Sequence, residues 1–264
     1  MSEGLSLMQA FQIIVYTPPG PPNPSLAIAA SRAGSLGVLD LEYSRGRVGE
    51  ETTFVLLQQF LACLKLPVWA QGGMGLHSAA ACYAAGAAGV VLDIQLALCR
   101  ESALPESVKS RIAIMDGSET ICVGGELGET YRVYARPGIS AVGELRQVEK
   151  KLAHEKRPQA EIVASWRQAI LERVGWSSAE QDLLLWGQDA AFAAPLAKRF
   201  STVGAVLEGI KEETNSHYQS ARKLRPLDEG SPLAQSHGTR YPIVQGPMAR
   251  VSDRPAFALA VAQG

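Results

Sequence analysis

The chain has few cysteines and histidines, no excess of charge of one sign, and no long apolar run. Its 264 residues hold four cysteines (Cys63, Cys82, Cys99 and Cys122) without a Cys-x-x-Cys pair. Apolar neighbours such as Ala81 and Tyr83 around Cys82 predict buried thiols in a reducing, cytoplasmic setting. With 25 basic and 26 acidic residues the net charge is −1, so no basic surface marks nucleic acid or an anionic membrane as the partner. The apolar stretch Ala79 to Ala88 is broken by Gly86 and falls short of the ~18 residues that span a bilayer. No positive segment, apolar run and cleavage site open the chain, so no signal peptide is read. What is present is a hydrophobic fraction of 47% against 19% charged residues, enough for a packed core. The length suits one α/β barrel of ~250 residues better than two full domains.

Strand and helix signals alternate over the first 110 residues. Phe11 to Tyr16 reads as a buried strand, Ser25 to Ala33 as a helix ended by Gly34, and Leu36 to Glu42 as a second strand. A helix over Phe54 to Leu64, a strand over Pro67 to Ala70, a helix over His77 to Ala85 and a strand over Gly89 to Asp93 follow. This spacing implies four parallel strands joined by right-handed crossovers. From 111 to 139 the texture predicts a three-stranded antiparallel meander: Ile112 to Met115, Thr120 to Val123 and Thr130 to Ala135. Residues 140–226 read as a helical segment, with Ser177 to Glu180 as a capping box. Residues 227–240 read as a linker.

The last stretch, 241–264, repeats the opening. Ile243-Val244 matches Ile13-Ile14, and Pro255-Ala-Phe-Ala-Leu-Ala matches Pro24-Ser-Leu-Ala-Ile-Ala, roughly 230 residues later. It reads as the start of a second, truncated barrel, and the whole sequence as a fragment. The fold class expected is α/β: a partial or shortened (β/α) TIM-barrel-like unit with a small antiparallel meander and a helical segment. Four strands cannot close an eight-stranded barrel. The edge left open predicts self-association into a homo-oligomer.

The local chemistry concentrates at Pro67-Val-Trp-Ala-Gln-Gly-Gly-Met-Gly75. A strand delivering Gly72 and Gly73 to a helix start exposes backbone N–H groups at the positive end of the helix dipole, a place for a phosphate. The same glycines also suit a tight turn with no ligand, and spacing alone leaves both readings open. His77 reads as a partly exposed helix residue; Asp93 and Gln95 stand at a strand's C-terminal end, where barrel sites form, and Asp93 suits an N-cap equally well. Asp116, Glu119, Glu126 and Glu129 read as solvated turn residues. Cys82 and Cys99 lack a histidine partner, and His154, His217 and His237 lack metal-ligand spacing. Trp166, Trp176 and Trp186 read as packing anchors. No metal site and no catalytic residue is assigned.

Taken together, these pieces resemble the nitronate monooxygenase (2-nitropropane dioxygenase-like) flavin barrels, in the variant found near the N-terminus of polyketide and polyunsaturated-fatty-acid-type synthases. The resemblance rests on Ile13 to Pro19 with Pro24 to Asp40, Pro67 to Met74, Ala85 to Leu96, Trp186 to Ala197 and Tyr241 to Ala249. It implies FMN held by Gly72, Gly73, Met74 and Gln95, with Pro247-Met248-Ala249 as the flavin-contacting start of the following barrel. It also implies an acyl or small nitroalkane-type substrate and other synthase domains as partners. The family's catalytic histidine lies in a middle region that is shortened here, and no histidine precedes His77. Two readings follow: an FMN-dependent oxidoreductase-like region (nitronate monooxygenase or enoyl-reductase type) of a multidomain synthase, or a catalytically silent docking or scaffold domain of one.

Overall fold

The computed structural model describes residues 11–17, 25–38, 52–63, 65, 67–178, 180–244, 246 and 254–263. The chain divides into two compact units, Met1–Ser216 and His217–Gly264. In the first unit, strands β1 (Gln12–Tyr16), β2 (Leu36–Val38), β3 (Trp69–Gln71) and β4 (Gly89–Leu92) form one parallel sheet in the order β2-β1-β4-β3. Helices α1 (Ser25–Arg32), α2 (Thr53–Cys63) and α3 (Leu76–Ala85) connect them, as the alternation of signals predicts.

The order carries more information than the strand count. In a closed barrel each strand neighbours the next and the last returns to the first. Here β1–β2 and β3–β4 are consecutive pairs, and β4–β1 is the return pairing, with Gln12 opposite Gly89 and Val15 opposite Leu92. The β2–β3 pairing is not made among the described residues. The sheet is therefore an arc of a barrel in which β3 and β4 hold the places of the last two strands. Burial agrees: all four residues of β4 are buried, as a strand covered on both faces requires. Ile13 and Val15 of β1 pack with Leu26 and Ala30 of α1, Leu57 of α2, and Ala79 and Cys82 of α3.

Beyond β4 the chain builds a second core within the same unit. Helix α4 (Glu106–Ile112) leads to the antiparallel pair β5 (Thr120–Val123) and β6 (Tyr131–Tyr134), covered by α5 (Ser140–Ala153) and α6 (Gln159–Leu171). The expected three-stranded meander is thus two-stranded. Val108, Ile112 and Met115 are buried while Ile114 is 67% exposed, which is helical periodicity and not the alternation of a strand. The expected capping box at Ser177 opens no helix. The Asp182 carboxylate instead accepts the backbone N–H groups of Ser177 (2.6 Å) and Ser178 (2.8 Å) and closes a turn.

Two acids expected in solvent are buried and paired. Glu119 accepts from Arg136 at 2.6 Å, and Glu129 takes a two-pronged bond from Arg167 and a 2.5 Å bond from the Tyr131 hydroxyl. Cys82 and Cys99 are buried as expected, but Cys63 and Cys122 are exposed. Cys122 sits at a position of β5 whose neighbours Ile121 and Val123 take the inward-facing places. Trp166 and Trp186 are fully buried packing residues.

Helices α7 (Ala193–Phe200) and α8 (Val203–Leu224) complete the helical segment, and the division between the two units falls within α8. In the second unit, the expected linker carries a short helix, α9 (Pro232–His237), started by a proline and closed by Gly238 in the left-handed conformation. Ile243 and Val244, expected in a strand, form none and are exposed, since no strand pairs with them among the described residues. Helix α10 (Pro255–Gln263) forms where the repeat places it and buries none of its residues. Pro247, Met248 and Ala249 lie outside the described residues.

The return pairing of β4 with β1 yields a direct test. A Cβ at position 89 would lie 1.9 Å from the Gln12 carbonyl oxygen and 2.8 Å from the Trp69 ring. Gly89→Ala should cost at least about 3 kcal/mol in urea unfolding. Gly143→Ala, on an open face of α5, should stabilise by about 0.5–1 kcal/mol in the same assay.

Candidate functional site

Parallel neighbours end on the same side of a sheet, so the loops after β3 and β4 lie beside each other. Gln71 closes β3 and Asp93 follows β4, and the Gln71 side-chain amide donates to Asp93 Oδ2 at 2.9 Å. Gly72 and Gly73 then turn the chain into α3 with φ of +94° and +69°, a left-handed path that side chains disfavour. The Thr53 hydroxyl, at the start of α2, lies 3.1 Å from each of the Gln71 and Gly72 carbonyl oxygens and fixes the outer side of the turn. Ser78 secures the inner side, accepting from the Gly75 N–H and donating to the Gly73 carbonyl, both at 2.8 Å.

The N–H groups of these loops converge on the protein's own side chains. Asp93 caps the short 3-10 turn Ile94–Leu96 by accepting the Ile94 N–H at 2.6 Å, one of the two roles its position in the sequence allows. Gln95 is buried; its carbonyl oxygen accepts the Asp93 N–H at 2.8 Å and its amide donates to Asp189 Oδ2 at 2.8 Å. The same Oδ2 accepts the Gly73 N–H at 3.2 Å. Gly72, Gly73 and Gln95 are thus brought together. Met74 adjoins them, but its side chain is buried in the core, where the Cys82 thiol meets its sulfur at 3.8 Å. His77 is an exposed residue of α3.

Asp189 was assigned no role in the sequence, although it stands in Trp186-Gly-Gln-Asp-Ala-Ala, a stretch that carries the resemblance. Its position is set by the second core. The Tyr134 N–H of β6 donates to the Leu184 carbonyl at 2.9 Å, and the Tyr134 and Trp186 rings pack with centroids 5.0 Å apart. This anchorage presents the 3-10 turn Gln188–Phe192 to the loop after β4. Gly187 makes room for the carboxylate, since a Cβ there would lie 2.2 Å from Asp189 Oδ1. The one available signal was a Gly-x-Asp directly after a buried aromatic residue.

Asp189 is 8% exposed. Burial, followed by the negative charge of Asp93, pushes its carboxyl up to about 7. The Gly73 N–H, its own backbone N–H and the charge of Arg132 act in the opposite direction. The site is therefore an acid pair framed by amides. Cys82 and Cys99 offer no nucleophile, because burial pushes their thiols up to about 11 and about 12. Among the described residues no group of three or more His, Cys, Asp or Glu could hold a metal ion.

The phosphate of FMN, the group the resemblance implies, does not fit this arrangement. A phosphate monoester needs free donors and tolerates no uncompensated carboxylate beside it. Here the N–H groups of Gly73, Asp93 and Ile94 and the Gln95 amide are all engaged by side chains of this protein, and the Asp189 carboxyl group occupies the place.

Because the Asp189 carboxyl is raised in the fold, its protonated form is the one the fold favours. That contribution is complete below its ordinary value of 3.8 and is lost as pH rises through about 7. Asp189→Asn, a permanent mimic of the neutral form, should match the wild type at low pH. At pH 8 it should be more stable by on the order of 3 kcal/mol in urea unfolding. Parallel pH profiles for the two proteins would contradict this.

No family model matches the chain, and no curated protein matches it by sequence. Solved structures do. FabK from Thermotoga maritima superposes with a TM-score of 0.54 at 20% identity, covering 83% of this chain and 73% of that one. The enoyl reductase domain of MlnA, from the macrolactin biosynthesis cluster of Bacillus amyloliquefaciens, gives a TM-score of 0.53 at 12% identity, covering 67% of this chain and 56% of that one. Nitroalkane oxidase from Streptomyces ansochromogenes, with a TM-score of 0.44 and 18% identity, lies below the level that defines a shared fold. At these identities the likeness concerns architecture: the chain shares the α/β, TIM-barrel-like fold of FabK and of the MlnA enoyl reductase domain.

Proposed function

We propose that this chain is a barrel-derived, catalytically silent docking or scaffold domain of a multienzyme polyketide- or fatty-acid-type synthase, and not its flavin-dependent oxidoreductase. The observation that carries this reading is the engagement of the Gly73 N–H and the Gln95 amide by Asp189 at the place where the fold would hold a cofactor phosphate. The fold shared with an enoyl reductase domain from a macrolactin biosynthesis cluster supports the synthase setting.

A docking role is supported by α2. It has no charged residue, buries only Leu57, and leaves Phe54, Val55 and Phe60 between 40% and 47% exposed. An apolar helix so little covered offers a surface to a neighbouring domain. No helix among the described residues is long and apolar enough to cross a membrane.

Flavin content tests the proposal. The purified protein should be colourless, and titration with FMN followed by flavin fluorescence should give a Kd of about 1 mM or weaker. A yellow protein carrying stoichiometric FMN would overturn it in favour of the oxidoreductase reading.

A further inference from the structure

Asp189 raises a question that silence alone does not answer. A buried carboxylate ordinarily has a cation against it, as Glu119 has Arg136 and Glu129 has Arg167. The donors that reach Asp189 Oδ2 are neutral: one backbone N–H and one side-chain amide, on residues 116 and 94 positions away in sequence. The fold bears on why these two meet there. The loops after β3 and β4 stand in the places of the last two strands of a barrel, where phosphate sites of this architecture are built. Gly73 also precedes α3, whose dipole favours an anion. Even the backbone that carries Asp189 is fitted to it, because Gly187 leaves open the space that Oδ1 fills.

We infer that Asp189 is an internal surrogate for a ligand phosphate. Its carboxyl group fills a cradle made by two donors, the Gly73 N–H and the Gln95 amide, and it closes that cradle to phosphate-bearing ligands. This rests on the reading of the domain as flavin-free and adds its cause: one side chain blocks a cradle whose donors are still in place. Asp93 does not stand in the way, since its oxygens are held by the Ile94 N–H and by Gln71.

The test uses the full chain and two probes, inorganic phosphate and FMN. Asp189→Ala removes the carboxylate and should bind phosphate at least tenfold more tightly than the wild type, read by calorimetry and by a phosphate-dependent rise in Tm. Asp189→Ser, whose short hydroxyl leaves the Oδ2 position empty, carries the same expectation should the alanine variant fail to fold. Asp189→Asn keeps an oxygen on both donors and should stay as blind to phosphate as the wild type. If the folded alanine or serine variant binds phosphate no better than the wild type, the inference falls while the silent-domain reading stands. If the asparagine variant binds as tightly as the alanine variant, charge and not occupancy excludes the anion, and the inference also falls. Stoichiometric FMN on the wild type overturns the silent-domain reading and the inference together.

Discussion

The pairing of β4 with β1 is the constraint on which the rest of the first unit depends. It requires a residue without a side chain at position 89, because the Gln12 carbonyl lies where a Cβ would project. Once made, it brings the fourth strand beside the first and leaves β3 outside it. On its other edge β4 pairs with β3, which makes the loops after β3 and β4 neighbours at one end of the sheet, and Gln71 can reach Asp93. A sheet of the same four strands in simple sequential order would not make the return pairing that marks the arc of a barrel.

The second core bears on the site through the turn that carries Asp189. Residues between β4 and Asp189 form α4, the β5–β6 pair and the helices over it, with the buried carboxylates of Glu119 and Glu129 paired to half-exposed arginines. Their effect at the site is to hold Leu184 and Trp186 against Tyr134, which sets Asp189 beside Gln95. The chemistry available there is that of an acid buried among amides. It differs from a flavin site in the sign of the charge it already contains.

The sequence was informative where local physics decides. The alternation of apolar strands and helices located β1 to β4, and the glycine pair located the turn after β3. Asp93 could be read as a cap because its partner is the next residue. It misled where distant contacts decide. Ile112 to Met115 is apolar enough for either a strand or a helix end, and only the buried face shared with Val108 selects the helix. Glu119 and Glu129 carry no mark of burial in their neighbours, since Arg136 and Arg167 reach them from other elements. Asp189 is the extreme case: its partners lie on two other loops, and no periodicity links an aspartate to a glycine turn so far away.

Carrying the hydrogen-bond acceptor on the same chain changes how the loops after β3 and β4 stay in order. A site completed by a dissociable ligand has a stability that rises and falls with the free concentration of that ligand, by mass action. A side chain tethered to the fold acts instead at a fixed effective concentration, which no metabolite pool alters. The Gly73 turn and the Gln95 turn of this protein are joined by such a tethered side chain, Asp189.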